Sequence, residues 1–270
     1  PAGVQNWFPP GGAPAVDATL AAFITRRVIA AAQQAAHQLQ PVTLSYRTGT
    51  VSGVGGDRNW PGQAADSQVT VLQFSLLNGA PLAAVFHYAC HPTILGPNTL
   101  VYSADFPGVV RRRWREAYPD SVCLYLNGAA GDISTRDFRW EQTFAEVERL
   151  GGLLAQQALD LPEMPVRAGV GLDWGSDTVE LPLRALDAVP PPVTVCSGDR
   201  RAQTRAEGTA IAAQLGAAFG SRAVIPATLN VLHVGDWALL GVPGEPFSAL
   251  AAQMRAVSER ALVTGYANDY

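Results

Sequence analysis

The sequence predicts an α/β protein in which mixed β-sheets are flanked by α-helices. Two pairs of apolar, β-branched runs, one joined by Asn78-Gly79 and one by Gly235-Asp236, read as β-hairpins, because a two-residue turn needs the positive φ that Asn, Asp and Gly tolerate. Several other stretches carry apolar residues at helical spacing. Hairpins interleaved with helices give mixed sheets and not a regular βαβ array.

Each element follows from its own residues. Over 17–39, Leu20, Phe23, Ile24, Val28 and Ala31 recur at helical spacing, with Asp17 as N-cap and Pro41 as the stop. Residues 42–54 are rich in Thr and Val and read as a strand entering the glycine loop 53–56, with Asp57 and Arg58 at its exit. The first hairpin pairs 69–77 with 82–89 and delivers Cys90-His91-Pro92-Thr93 at its end. Ala104-Asp105-Phe106-Pro107-Gly108 then opens a helix in which arginines alternate with Val109, Val110 and Trp114. A short buried strand at 122–126 leads into Asn127-Gly128-Ala129-Ala130-Gly131-Asp132-Ile133-Ser134. A helix at 141–159, strands around 169–172 and 178–183, a linker at Pro190-Pro191-Pro192 and an exposed helix at 200–219 follow. The second hairpin pairs 228–234 with 237–242, and Pro243-Gly244-Glu245-Pro246 starts a helix running to about 257.

Composition narrows the chemistry. All 19 basic residues among the 270 are arginine. Without a lysine amine, this chain cannot run Schiff-base, pyridoxal-phosphate, P-loop or Ser-Lys chemistry. A net charge of -4, with Arg111-Arg112-Arg113 as the one basic cluster, argues against a nucleic-acid partner. No apolar run is long enough to predict a transmembrane helix. Cys90, Cys123 and Cys196 are too few and too scattered for a disulfide framework or a thiolate zinc site.

Polar groups immediately after buried strands are the natural candidates for chemistry, since the strand aims the residue while the loop admits substrate. Three positions qualify: His91, the Asp132–Ser134 stretch and Glu245. From spacing alone, His91 fits a buried imidazole bonded to a carbonyl as well as it fits a ligand. His87 lies four residues earlier, and on a strand that separation is about 13 Å, too far to share a metal whose bonds to nitrogen are about 2 Å. His87 is therefore expected to be structural. Ser134 ends a glycine and alanine loop whose amides suit an oxyanion, yet a turn or cap serine has the same local pattern. Glu245 would suit a helix N-terminus in any protein and would also serve as an oxygen ligand beside imidazole. His37, His233 and the Arg111–Arg113 run read as surface or packing residues, and Asp57, Asp66 and Asp105 as turn or cap residues.

In order along the chain come Pro1-Ala2-Gly3, Asp57-Arg58, Ala89-Cys90-His91-Pro92-Thr93, Ser103-Ala104-Asp105-Phe106-Pro107-Gly108, Asn127 to Ser134, Pro243-Gly244-Glu245 and Asn268-Asp269-Tyr270. Together these motifs resemble, from end to end, the catalytic domain of the neutral/alkaline ceramidase family. The resemblance implies one ceramidase-like catalytic domain over 1–270, truncated at both ends and close to the compact bacterial relatives. It implies a zinc-dependent amidase that splits the N-acyl bond of ceramide to fatty acid and sphingosine. Its partners would be a lipid or other N-acyl amide substrate and a membrane surface, in a secreted or periplasmic setting.

In that family zinc is held by two histidines, a glutamate and a tyrosine. His91 matches one histidine, Glu245 the glutamate and Tyr270 the tyrosine. Ser134 matches the catalytic serine, and Arg58 an arginine near the polar head of the substrate. The family's other histidine precedes the proline at which this chain starts, so weak or absent zinc binding is expected of the 270 residues. Thr135 stands where the family usually has proline, and Asp57 where it usually has asparagine. The alternatives are a zinc hydrolase acting on another N-acyl amide or ester, and an inactive binding domain of the same fold.

Overall fold

The structure is a computed structural model and describes residues 17–60, 62, 65–166, 171–182 and 224–268. The chain forms two compact units, one from 1–27 with 178–228 and the other from 28–177 with 229–270. Helix α1 (Ala18–His37) begins in the first unit, where Asp17 Oδ1 accepts from the amides of Thr19 and Leu20 and caps it. That unit also holds the end of β8 (Leu172–Pro182) and the start of β9 (Val224–Val234). The expected linker at 190–192 and helix at 200–219 lie outside the described residues.

The second unit is built in layers. A five-stranded sheet has the order β5-β4-β3-β1-β7, from β1 (Val42–Thr50), β3 (Gln68–Leu76), β4 (Pro81–Tyr88), β5 (Val122–Asn127) and β7 (Met164–Pro165). A second sheet runs β11-β10-β9-β8, with β10 (Trp237–Gly241) and β11 (Ala261–Thr264). Alternation along the strands divides their side chains between two faces. On β3, Val69 and Val71 join Ala84, Phe86 and Tyr88 of β4 in a core with Phe106, Val109, Val110 and Trp114 of α2 (Asp105–Ala117) and Val147, Leu150 and Leu154 of α3 (Phe144–Asp160). The next residue, Leu72, faces the other way and packs with Leu44, Val234, Trp237 and Leu262 between the sheets. On the far side of the second sheet, Val242 and Val263 pack with Ala251 of α4 (Ser248–Val257). Central strands are covered on both faces, which explains why they read as unbroken apolar runs.

Both hairpins form as expected. At Asn78-Gly79, Gly79 takes φ 86° and the Asn78 side chain accepts from the Ala80 amide. Gly235, at φ 60°, turns the second. Mixed sheets also require parallel pairs, and β4 with β5 and β10 with β11 supply them. An antiparallel bridge from Gly128 to Thr264 joins the C-terminal ends of β5 and β11, so the ends of the parallel strands gather in one place.

Three local expectations change. The strand at 122–127 is at a sheet edge, and Val122 and Leu124 are more than half exposed because only the Cys123–Tyr125 face is packed against the core. Where strands were expected around 169–172 and 178–183, the described residues form one continuous strand, β8, since polar residues along an exposed strand do not interrupt its backbone pairing. Helix α4 begins at Ser248, after Glu245, because the left-handed Gly244 (φ 71°) and the following prolyl turn carry the chain past the glutamate before helical bonding starts.

Candidate active site

Four strand ends bring the site together. After β4, the chain presents His91 in a parallel bridge to Ser134, and Ser134 belongs to β6 (Ile133–Ser134), which pairs with β2 (Gly56–Asp57). After β10, the Pro243-Gly244-Glu245 turn presents Glu245. After β11 comes Tyr266, whose backbone sits at φ 59° with its amide donating to the Gly244 carbonyl.

The donor atoms converge on one point. His91 Nε2 lies 3.1 Å from Glu245 Oε1. Tyr266 Oη lies 3.1 Å from the same carboxylate oxygen and 3.3 Å from His91 Nε2. The Ile133 carbonyl accepts from both the backbone amide and Nδ1 of His91, at 3.0 Å each. A carbonyl has no proton to give, so Nδ1 carries the hydrogen, and in the neutral ring Nε2 turns its lone pair to the two oxygens.

This donor set fits a metal. Three electron-pair donors meet with the phenol proton available to serve one of their contacts. A ligating histidine characteristically donates its other ring N–H to a carbonyl, as His91 does. Tetrahedral zinc with bonds of about 2.0 Å has ligand atoms about 3.3 Å apart, close to the three separations seen. The Arg58 guanidinium approaches the other oxygen, Glu245 Oε2, at 3.7 Å. His91 is mostly buried, whereas Glu245 and Arg58 keep 29% of their side chains exposed, so the cluster is reached from solvent on the Glu245 side.

The loop beneath the cluster is braced to the turn carrying Glu245. Gly131 donates its amide to the Pro246 carbonyl at 2.9 Å. Asp132 Oδ1 accepts from the Ser248 amide at 2.8 Å and Oδ2 from its hydroxyl at 2.6 Å, capping α4 across 116 residues. The Asp132 carbonyl accepts from the Arg58 amide at 2.8 Å. One aspartate thus holds the backbones on both sides of the Arg58–Glu245 contact.

The sequence-derived candidates separate clearly. His91, Glu245 and Arg58 come together, and Ser134 adjoins them on β6, nearly buried, with Oγ accepting from the Arg136 amide at 3.4 Å. Tyr270 lies outside the described residues. Tyr266 was missed, although the rule that singled out His91, Ser134 and Glu245, a polar group just after a buried strand, applies to it too. His87 is structural: it is buried, its Nε2–H meets the Val263 carbonyl at 2.9 Å, and burial lowers its pKa. Asp105 takes φ 52° and accepts from the amides of Leu95 and Phe106, fixing the loop after His91. Asp57 caps a turn through the amides of Asn59 and Trp60. Burial pushes the Cys90 thiol well up and Cys123 up to about 11, so both stay protonated at neutral pH.

No protein-family model and no curated protein matches the sequence. Among solved structures, the chain is similar to the neutral ceramidase of Pseudomonas aeruginosa, with a TM-score of 0.65 and 20% identity over 90% of this chain and 48% of that one. It is also similar to a ceramidase described as complexed with C2, with a TM-score of 0.61 and 18% identity over 88% of this chain and 48% of that one. The chain therefore spans about half the length of the structures it matches. Its arrangement of mixed sheets and flanking helices is the fold of neutral ceramidase.

Proposed function

We propose that this chain carries the hydrolytic centre of a zinc-dependent amidase that cleaves the N-acyl bond of ceramide-like lipids into a fatty acid and a sphingoid amine. The observation that supports it most is the meeting of His91 Nε2, Glu245 Oε1 and Tyr266 Oη within 3.3 Å of one another. These three side chains would hold the metal. A metal held there would supply Lewis-acid polarisation of an acyl carbonyl.

The chain's own residues have separate tasks. Ile133 fixes the His91 tautomer through its carbonyl. Arg58 lies where it can offset the Glu245 charge and hydrogen-bond a hydroxylated head group. Ser134 supplies a hydroxyl beside His91, to attack the carbonyl or to stabilise the oxyanion. Mass spectrometry distinguishes these roles, since an acyl adduct on Ser134 accompanies attack only.

The test is release of fatty acid from a short-chain ceramide by the 270-residue protein, with zinc, with chelator and after zinc is restored. The expected result is chelator-sensitive hydrolysis that falls at least a hundredfold in both His91→Ala and Ser134→Ala. Hydrolysis indifferent to chelator and to His91→Ala would remove the metal from the account. Hydrolysis of simple esters with none of ceramide would reassign the substrate.

A further inference from the structure

The parallel pairing of β4 with β5 ends at Tyr88 opposite Asn127. Beyond it the two chains part, β5 turning into the 128–132 loop while the other runs on through Ala89 and Cys90 to His91. Leaving a sheet strands backbone polar groups, and a buried one needs a partner. Cys90 is fully buried, and the partner of its carbonyl among the described residues is the Asn127 side chain, whose amide nitrogen lies 2.9 Å from it and 3.3 Å from the Tyr88 carbonyl. Two carbonyls outweigh one longer contact to the Cys90 amide, at 3.3 Å, in deciding which end of the side chain points there. The Asn127 amide thus extends the ladder by one step after the β5 backbone has left it.

The other side of the same peptide unit is held as well. The Cys90 carbonyl and the His91 amide share one peptide plane, and the His91 N–H donates to the Ile133 carbonyl at 3.0 Å. A planar unit fixed at both its oxygen and its nitrogen leaves the His91 side chain little choice of direction. Asn127 reaches the cluster by a second route, since its backbone carbonyl accepts at 3.2 Å from the amide of Gly265, the residue before Tyr266. Its neighbour Gly128 donates to the Tyr88 carbonyl at 3.0 Å, and a Cβ there would lie 2.8 Å from the Ala89 Cβ, so the chains are in close contact at this point. One residue therefore ties down the backbones that precede two members of the cluster.

We infer that Asn127 is a positioning residue of the metal cluster: by holding the Cys90–His91 peptide, its side-chain amide keeps His91 Nε2 aimed at Glu245 and Tyr266. The inference rests on the metal reading for what His91 binds, and on hydrogen bonding alone for how His91 is held. Removing a group that orients a ligand from behind typically lowers metal affinity about 10–100-fold. Asn127→Asp keeps the shape, cannot donate when ionised, and sets a negative charge against two carbonyl oxygens. Asn127→Ala removes the donor without adding charge.

The experiment reads His91 first in the metal-free full chain and then with zinc alone. Above the ordinary histidine pKa of about 6.5, proton–nitrogen NMR of the imidazole tells one tautomer from a mixture. The wild type is expected to show only the Nδ1–H form, and both variants a mixture, as His91 loses its hold on the Ile133 carbonyl. Competition against a chelator is expected to show zinc affinity at least tenfold weaker in both variants. Asn127→Ala provides both readings should Asn127→Asp fail to fold. Ser121→Ala is the control for lost stability, because it removes the partner of Trp114 Nε1 at the opposite end of β5. It should lower the urea midpoint and leave the His91 signals and zinc affinity unchanged. If the variants show mixed tautomers and the wild type binds no zinc, the hold on His91 stands and the metal reading falls. The inference is overturned if the variants keep the single tautomer, if the wild type binds zinc and they bind it as tightly, or if Ser121→Ala weakens zinc equally.

Discussion

Gly131→Ala tests whether the loop at 128–132 sets the position of Glu245. A Cβ at Gly131 would lie 2.5 Å from the Glu245 carbonyl oxygen and 2.4 Å from Phe247 Cδ1. The Phe247 ring is half exposed and can rotate away. The carbonyl cannot, because it is backbone in a turn tied to Gly131 through the Pro246 carbonyl and to Asp132 through Ser248. Ordinary contact begins near 3.4 Å, so the Glu245 turn must retreat by about 0.9 Å. Overpacking of this kind costs about 1–3 kcal/mol. A displacement of about 1 Å in a reacting group can cost about a hundredfold in rate. Urea denaturation of the metal-free protein reads the first effect, and zinc affinity with N-acyl hydrolysis reads the second. Gly152→Ala is the matched control: inside α3 its Cβ would meet nothing within 4 Å, and the change should stabilise by about 1 kcal/mol through helix propensity. A Gly131→Ala protein with unchanged denaturation midpoint and unchanged zinc affinity would refute the reasoning.

Other predictions concern supporting residues. Asp132→Ala should lower stability by about 2 kcal/mol in urea titration, since it removes two hydrogen bonds to a carboxylate, while Asp132→Asn should lose less; equal losses would show that the charge contributes nothing. His87 is buried with a lowered pKa, so the unfolded chain binds the proton more readily. Its stabilising effect is present above the unfolded pKa of about 6.5 and is lost as pH falls toward the folded value. His87→Gln, able to keep the bond to Val263, should flatten the stability profile below pH 6.5, and an unchanged slope would contradict the assignment. Glu146 accepts from Arg149 and from the Trp140 amide, and these bonds lower its pKa. Its contribution is present above the usual glutamate range and fades as pH falls through the lower folded pKa. Glu146→Gln should therefore cost about 1 kcal/mol at pH 7 and less in acid, measured by denaturation at both pH values.

Much of the architecture was legible because its signals are local. Asn78-Gly79 and Gly235-Asp236 fix hairpins through backbone φ alone, and Asp17 caps α1 from one residue away. The limits of Glu245's helix were less legible: the capping group for Ser248 is Asp132, 116 residues distant, which no window around 245 contains. Tyr266 shows the same limit in the site. Its place depends on the Gly128–Thr264 bridge and on the Gly244 carbonyl, both long-range. The strand-end rule was sufficient for His91, Ser134 and Glu245, and applying it once more after β11 reaches Tyr266.

The central claim is that His91, Glu245 and Tyr266 form one metal-binding cluster. Zinc titration of the 270-residue protein against a competing chelator tests it most directly. The account predicts weak binding of zinc at this one cluster, with affinity reduced at least tenfold further in each of His91→Ala, Glu245→Gln and Tyr266→Phe. Zinc bound as tightly by all three variants as by the wild type, or no zinc bound by the wild type, would contradict it.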